Sequence, residues 1–129
     1  MDPADVEPVL LVGFGDVPVA QELEPMLRKA GYPVLALRDL RSMSASLAGM
    51  PKATVVVFDQ GESGVAERAL ALVHEVHRRA AVVVVVRHAD FAQYYALMNQ
   101  GAIGYFEAEE PPSLIFTGVT LAARQSHTV

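Results

Sequence analysis

The hydrophobic positions of this chain form short continuous runs that alternate with longer segments of helical periodicity. Three of the runs are rich in valine and end in polar or glycine-containing loops: Val9–Val12, 53–59 and Ala81–Val86. Strands that are buried on both faces have this continuous pattern, whereas half-exposed strands alternate apolar and polar residues. Two shorter runs, 33–37 and 103–106, complete five predicted strands.

Five segments between and after these runs are predicted to be helices. The clearest is the third, in which apolar residues recur at helical spacing from 65 to 80. Pro25 is expected to kink or split the first helix. Asp16, Asp39, Asp90 and Ser113 are expected to cap or open the first, second, fourth and fifth helices, respectively.

Strands and helices that alternate with short connections predict an α/β fold, with a parallel sheet and helices on both faces. Right-handed crossovers make this a doubly wound sandwich. One domain is expected at 9–124, after a mobile lead at 1–8 and before 125–129, which is a tail or the start of a linker.

Composition narrows the class of protein. The 129 residues are 52% hydrophobic, which is typical of a folded domain, and the net charge of −5 disfavours nucleic-acid binding by this domain. The longest apolar run is too short to cross a membrane, and the chain starts without a signal-peptide pattern. The absence of cysteine excludes thiolate metal sites and disulfides and fits the cytoplasm, where we expect the protein.

Asp59 is the candidate on which function depends. It stands directly after the apolar run at 53–58 and before a glycine-containing loop. Because ligands of open α/β sheets bind beyond the carboxyl ends of the strands, an acid at this position marks the expected site.

The distances in sequence between Asp59 and several other motifs resemble those in the receiver (CheY-like) domain of two-component response regulators. Phe14 precedes Asp59 by 45 positions, and Gly101-Ala-Ile-Gly-Tyr-Phe106 resembles the family's Gly-Ala-x-Gly-Tyr. The resemblance covers 9 to about 124 and implies a flavodoxin-like (βα)5 sandwich with strand order 2-1-3-4-5. It also implies that Asp59 matches the phospho-accepting aspartate and Tyr105 the aromatic switch position.

The chain departs from this family at the positions that carry its chemistry. The acidic pair that holds Mg²⁺ corresponds to Gly13 and Phe14, and the Ser or Thr to Val86, or Arg87 after a one-residue slip. The lysine that this family has after strand five corresponds to Ala108. Magnesium binding needs carboxylates, and phosphoryl transfer needs stabilised charge. We therefore predict a degenerate receiver with a vestigial Asp59, although Asp16, one turn on, could substitute for a missing acid and leave phosphorylation open.

The functional prediction is a non-enzymatic signalling module without metal or cofactor that acts by protein–protein contact. Its partner is expected to be another protein or the output domain of a larger regulator. The expected surface is formed by the fourth helix, fifth strand and fifth helix, whose apolar residues exceed what one buried face requires. Homodimerisation through this surface is an alternative use of it. The residues predicted to form the surface are Tyr94, Tyr95, Tyr105 and Phe116.

Three other patterns keep different hypotheses open. Gly13-Phe14-Gly15 with Asp39 resembles the nucleotide-binding domains of potassium-channel regulators, although Pro18 occupies the third glycine position. His74 and His77 share one face of the predicted third helix and could bind a metal, but a third ligand is missing. Arg87 and His88 could bind an anion or pair with Asp59, or be ordinary loop charges.

Overall fold

The computed structural model describes residues 7–13, 18–50, 52–59, 64–77 and 79–125. Five strands form one sheet in the order β2-β1-β3-β4-β5, and every neighbouring pair is parallel. The predicted doubly wound fold and its strand order are therefore confirmed. The strands are β1 (Val9–Val12), β2 (Val34–Leu37), β3 (Thr54–Asp59), β4 (Ala81–Val86) and β5 (Gly104–Glu107).

Five helices follow the strands in alternation. They are α1 (Pro18–Lys29), α2 (Leu40–Leu47), α3 (Val65–Val76), α4 (Phe91–Asn99) and α5 (Pro112–Gln125). None of these helices, within the residues that the structure describes, is long and apolar enough to cross a membrane.

The sheet separates two hydrophobic cores, as the strand patterns predict. Alternate residues of β3 and β4 face opposite sides because successive side chains of a strand point to opposite faces. Val55, Val57 and Val84 pack with α2, α3 and Leu97 of α4, whereas Val56 and Val83 pack with α1 and α5. All residues of β3 and β4 are buried, so the carboxyl ends of these two strands lie below the protein surface.

Two predicted caps are confirmed. The Asp39 carboxylate accepts from the Ser42 N–H at 2.7 Å, and the Asp90 carboxylate accepts from the Ala92 N–H at 2.9 Å. The hydrogen bond from the Ser42 backbone also holds the pKa of Asp39 below its ordinary value of 3.8. Such bonds satisfy N–H groups that the first turn of a helix leaves unpaired.

Four local predictions differ from the structure. Helix α1 continues past Pro25 as one element, so Pro25 does not split it. Helix α5 begins at Pro112, where proline fits the first helical position, so Ser113 is inside the helix and not its cap. Helix α3 ends at Val76 instead of Ala80, and His77 beyond it is extended. Glu7, expected in a mobile lead, is only 2% exposed and accepts a hydrogen bond from the Thr54 hydroxyl at 3.1 Å.

Gly118 of α5 is required by the ring of Phe106 on β5. A Cβ built at Gly118 would lie 2.7 Å from Cε2 of that ring and closer still to its Cζ. We expect Gly118→Ala to lower the free energy of unfolding by about 1–3 kcal/mol, because overpacking outweighs the gain in helix propensity. Urea denaturation measures the change.

Gly49→Ala is the control for this substitution, because a Cβ at Gly49 meets no atom within 4 Å. It should be neutral or slightly stabilising. Adding Phe106→Leu to Gly118→Ala should recover part of the loss by making room. A Gly118→Ala protein as stable as the wild type would show that the ring moves aside without cost.

Candidate functional site

Asp59 lies at the carboxyl end of β3, where the sequence placed the site. The residue is 5% exposed, and its backbone carbonyl accepts from the Arg87 N–H at 3.2 Å. In the sheet it is in register with Val86 of β4. Asp59 is therefore a buried acid at the end of one fully buried strand, β3, and beside the end of another, β4.

Three of the predicted neighbours meet at this edge of the sheet. Gly13 follows β1 with φ of 73°, and a Cβ there would come within 3.2 Å of the Phe58 carbonyl oxygen. The Ala108 N–H donates to the Val86 carbonyl at 2.7 Å, which places the start of the β5–α5 loop beside the end of β4. At Gly13, Val86 and Ala108 the side chain is only a hydrogen atom or a hydrocarbon group. Phe14 and Asp16 lie outside the described residues.

Gln93 of α4 is a site residue that the sequence analysis missed. Its side-chain NH₂ group lies 3.5 Å from Oδ2 of Asp59 and 3.4 Å from Oε1 of Glu67 on α3. One amide thus bridges two carboxylates. A sequence signal existed, because Glu67 stands in the first turn of α3, which follows β3, and Gln93 in the first turn of α4, which follows β4. These first turns lie at the carboxyl edge of the sheet.

Glu67 carries an unusual electrostatic feature. Its Oε2 atom is buried and accepts no hydrogen bond in the part of the chain that the structure describes. Leaving a buried acceptor unsatisfied costs about 1–3 kcal/mol, so native proteins keep few of them. The side chain is thus held at the Asp59 edge at a cost in stability.

Tyr105 of β5 also contacts Gln93 and so belongs to the set of polar side chains near Asp59. Its hydroxyl donates to Oε1 of Gln93 at 2.9 Å and accepts from the Asp90 N–H at 3.1 Å. Partial burial raises the pKa of the Tyr105 phenol above its ordinary 10.0. The hydrogen bond with the Asp90 backbone opposes this rise, whereas the side-chain charges of Asp90, Asp59 and Glu107 add to it. The phenol therefore remains a hydrogen-bond donor across the neutral range.

An aromatic group on α4 continues outward from Tyr105. The Tyr94 and Tyr105 rings are in edge contact with centroids 5.6 Å apart, and Phe91 and Tyr95 are in edge contact at 5.0 Å. Phe91 is 74% exposed, Tyr95 56% and Tyr94 40%. We call Phe91, Tyr94 and Tyr95 the aromatic patch. It is the exposed apolar area that the sequence predicted for the fourth helix.

The remaining predicted residues are exposed, half-buried against the core or engaged elsewhere. The side chains of Arg87 and His88 are exposed. Phe116 is half-buried against the core between the sheet and α1 and α5. Asp39 is committed to capping α2, which weakens its candidacy as a ribose-binding acid, and Gly15 of the same hypothesis lies outside the described residues.

The histidines do not form the predicted pair. His74 lies within α3 with its ring against Gly101, whereas His77 lies beyond the end of that helix. Only His74 of the two therefore lies within α3, whereas the sequence predicted that both would be inside the helix. Within the described ranges, no three acidic or histidine side chains are grouped so that they could hold a metal ion.

Comparison with known proteins gives a result at the level of structure. No family model matches the sequence, and no curated protein matches it. A receiver domain protein (CheY-like) from Methanospirillum hungatei JF-1 is 14% identical with a TM-score of 0.81, over 96% of this chain and 98% of that one. The receiver domain of a Luxo repressor protein from Vibrio parahaemolyticus is 15% identical with a TM-score of 0.82, over 95% and 94%.

A third structure is similar over nearly the full length of both chains. The receiver domain of an HD domain-containing protein from Pseudomonas fluorescens Pf-5 is 18% identical with a TM-score of 0.81, over 96% of this chain and 99% of that one. The resemblance inferred from the sequence is thus confirmed for the fold. Over nearly its whole length, this chain has the flavodoxin-like fold of the response regulator receiver domains.

Proposed function

We propose that the chain is a signalling module with a receiver fold that acts by protein–protein contact and does not transfer phosphoryl groups at Asp59. The observation that carries the proposal is what surrounds Asp59. Gly13, Val86 and Ala108 stand at the strand ends beside it, where phosphoryl transfer would call for metal ligands and a cation. Among the described residues, its polar contacts include instead the Gln93 amide, which also contacts a second carboxylate, that of Glu67.

Electrostatics supports the same conclusion. Phosphoryl transfer to a carboxylate adds negative charge, which catalysis must neutralise. The Glu67 carboxylate shares the Gln93 amide with Asp59, so it adds negative charge at this place. Arg87, the neighbouring cation in the chain, has an exposed side chain.

The test is incubation with a small phosphodonor and Mg²⁺, followed by intact-mass measurement. We expect no phosphoryl adduct on the wild type, with a receiver domain that has a complete acidic pair as the positive control. A stoichiometric adduct on the wild type that is absent from Asp59→Asn would refute the proposal and restore an ordinary phosphorylated receiver.

The contact surface that we propose is the aromatic patch with β5 and α5 beside it, and the occupant that we propose is a second copy of this chain. Helix α4 carries no charged residue, so two copies with a net charge of −5 that meet at α4 bring no charged side chains of this helix together. Of the similar structures, the beryllofluoride-activated NtrC4 receiver domain, 16% identical with a TM-score of 0.80, is described as a dimer. An output domain or another protein on the same patch is the other outcome that the association measurements can give.

A further inference from the structure

The orientation of the Gln93 amide is set by what its two ends face. A side-chain amide has a donating NH₂ end and an accepting oxygen, and reversing it exchanges the two. Here the NH₂ end faces the carboxylates of Asp59 and Glu67, which only accept when ionised. The oxygen is thereby directed to Tyr105, whose hydroxyl donates to it at 2.9 Å.

The Tyr105 hydroxyl has a second acceptor within reach. Its single hydrogen can be donated to Oε1 of Gln93 at 2.9 Å or to the backbone oxygen of Asp90 at 3.5 Å. The lone pairs already accept from the Asp90 N–H at 3.1 Å. If the amide reversed, its NH₂ end would face the hydroxyl, and the hydrogen would turn to the Asp90 oxygen.

The bridge to the carboxylates is easy to change. Distances of 3.4 and 3.5 Å are at the long limit for an N–H···O hydrogen bond, so each contact is weak. The buried Oε2 of Glu67 has no hydrogen-bond partner in the described part of the chain, so no second contact is seen to fix that carboxylate. The preference of the amide for one orientation therefore rests mainly on the charge of two acids.

We propose that Gln93 is a positioning residue that couples the charge on Asp59 and Glu67 to Tyr105 and, through the Tyr94–Tyr105 ring contact, to the aromatic patch. Neutralising one acid favours the reversed amide and moves the Tyr105 hydrogen from Gln93 to Asp90. The coupling operates inside one chain and does not depend on what docks on the patch.

The experiment is an NMR double-mutant cycle on tyrosine side chains. The chain has four tyrosines and no tryptophan, so ring-labelled tyrosine gives four signals, each assigned by a Tyr→Phe variant. We expect Asp59→Asn and Glu67→Gln to shift the Tyr105 ring signal clearly and the Tyr94 signal less. In the Gln93→Leu background, most of both shifts should be lost, because the bridge is gone.

Glu75→Gln is the matched control, since it makes the same change of charge at an exposed position of α3. It should leave Tyr105 unshifted in either background. Gln93→Met repeats the cycle with a flexible side chain, so that the result does not depend on the folding of one variant. A Tyr105 shift of equal size with and without Gln93, or no shift on Asp59→Asn, would overturn the proposal.

Discussion

Leu97→Ala is expected to lower the free energy of unfolding by about 2–5 kcal/mol, the cost of a cavity at a fully buried leucine. Leu97 is 0% exposed and is the one residue of α4 that is buried completely. Since domains of this kind are stable by about 5–15 kcal/mol, the loss is a large part of the total. We expect a loss toward the upper end of this range, because no other side chain of α4 is buried as deeply as Leu97.

Urea denaturation measures the loss, and amide hydrogen exchange locates it. In Leu97→Ala we expect the α4 amides to exchange by local opening well before those of β3 and β4. Asn99→Ala, an exposed substitution on the same helix, should change stability by no more than about 0.5 kcal/mol. A Leu97→Ala loss below about 1 kcal/mol would show that α4 is held by its partly buried residues instead.

Phe91→Glu is expected to weaken association through the aromatic patch by roughly 30-fold or more. A large ring that is 74% exposed in the single chain gains most from burial at an interface, so we expect Phe91 to be a hot spot, whose truncation costs at least about 2 kcal/mol of binding. The variant adds a charge that a dry contact would have to bury. The measurement is light scattering over a range of concentrations.

The substitution leaves folding intact for a separate reason. Phe91 is the first residue of α4, directly after the Asp90 cap, and an acid in the first turn interacts favourably with the helix dipole. Any loss of association therefore reports on the surface. Phe116, predicted for the same surface, is less suited to this test because its ring is half-buried against the core.

Gln21→Glu on α1 is the control, because it adds one negative charge at an exposed position on the other side of the sheet. It should associate as the wild type does. A wild type that stays monomeric at high concentration would rule out a second copy as the occupant. In that case a partner protein whose binding is lost in Phe91→Glu would take its place on the patch.

The sequence predicts the fold well because the valine-rich strands leave little choice. Six consecutive apolar residues at Ala81–Val86 have to be covered on both faces, and only a central strand between helical layers offers that. The caps Asp39 and Asp90 were equally predictable, since a carboxylate before a helical segment has one favourable use. Two of the errors, at Ser113 and at the end of α3, lie at helix ends, where local preferences differ little.

The polar part of the site was harder to predict. Asp59 is recognisable because it ends a buried run, whereas Glu67, eight positions later, and Gln93, 34 positions later, are marked only by their places in the first turns of α3 and α4. Gln93 lies among apolar residues of α4, and its role depends on which turn of the helix faces the sheet edge. That depends on the packing of Leu97, a tertiary contact.

The central position of β4 also has a consequence for solubility. Five consecutive valines, uncharged and without proline, have the composition of segments that stack into amyloid. In the fold, β3 pairs with one edge of β4, while the four residues of β5 cover the other. If β5 and α4 came away together, β4 would become a flat apolar edge, the kind of template on which chains aggregate. The short β5 strand thus also protects the chain from aggregation.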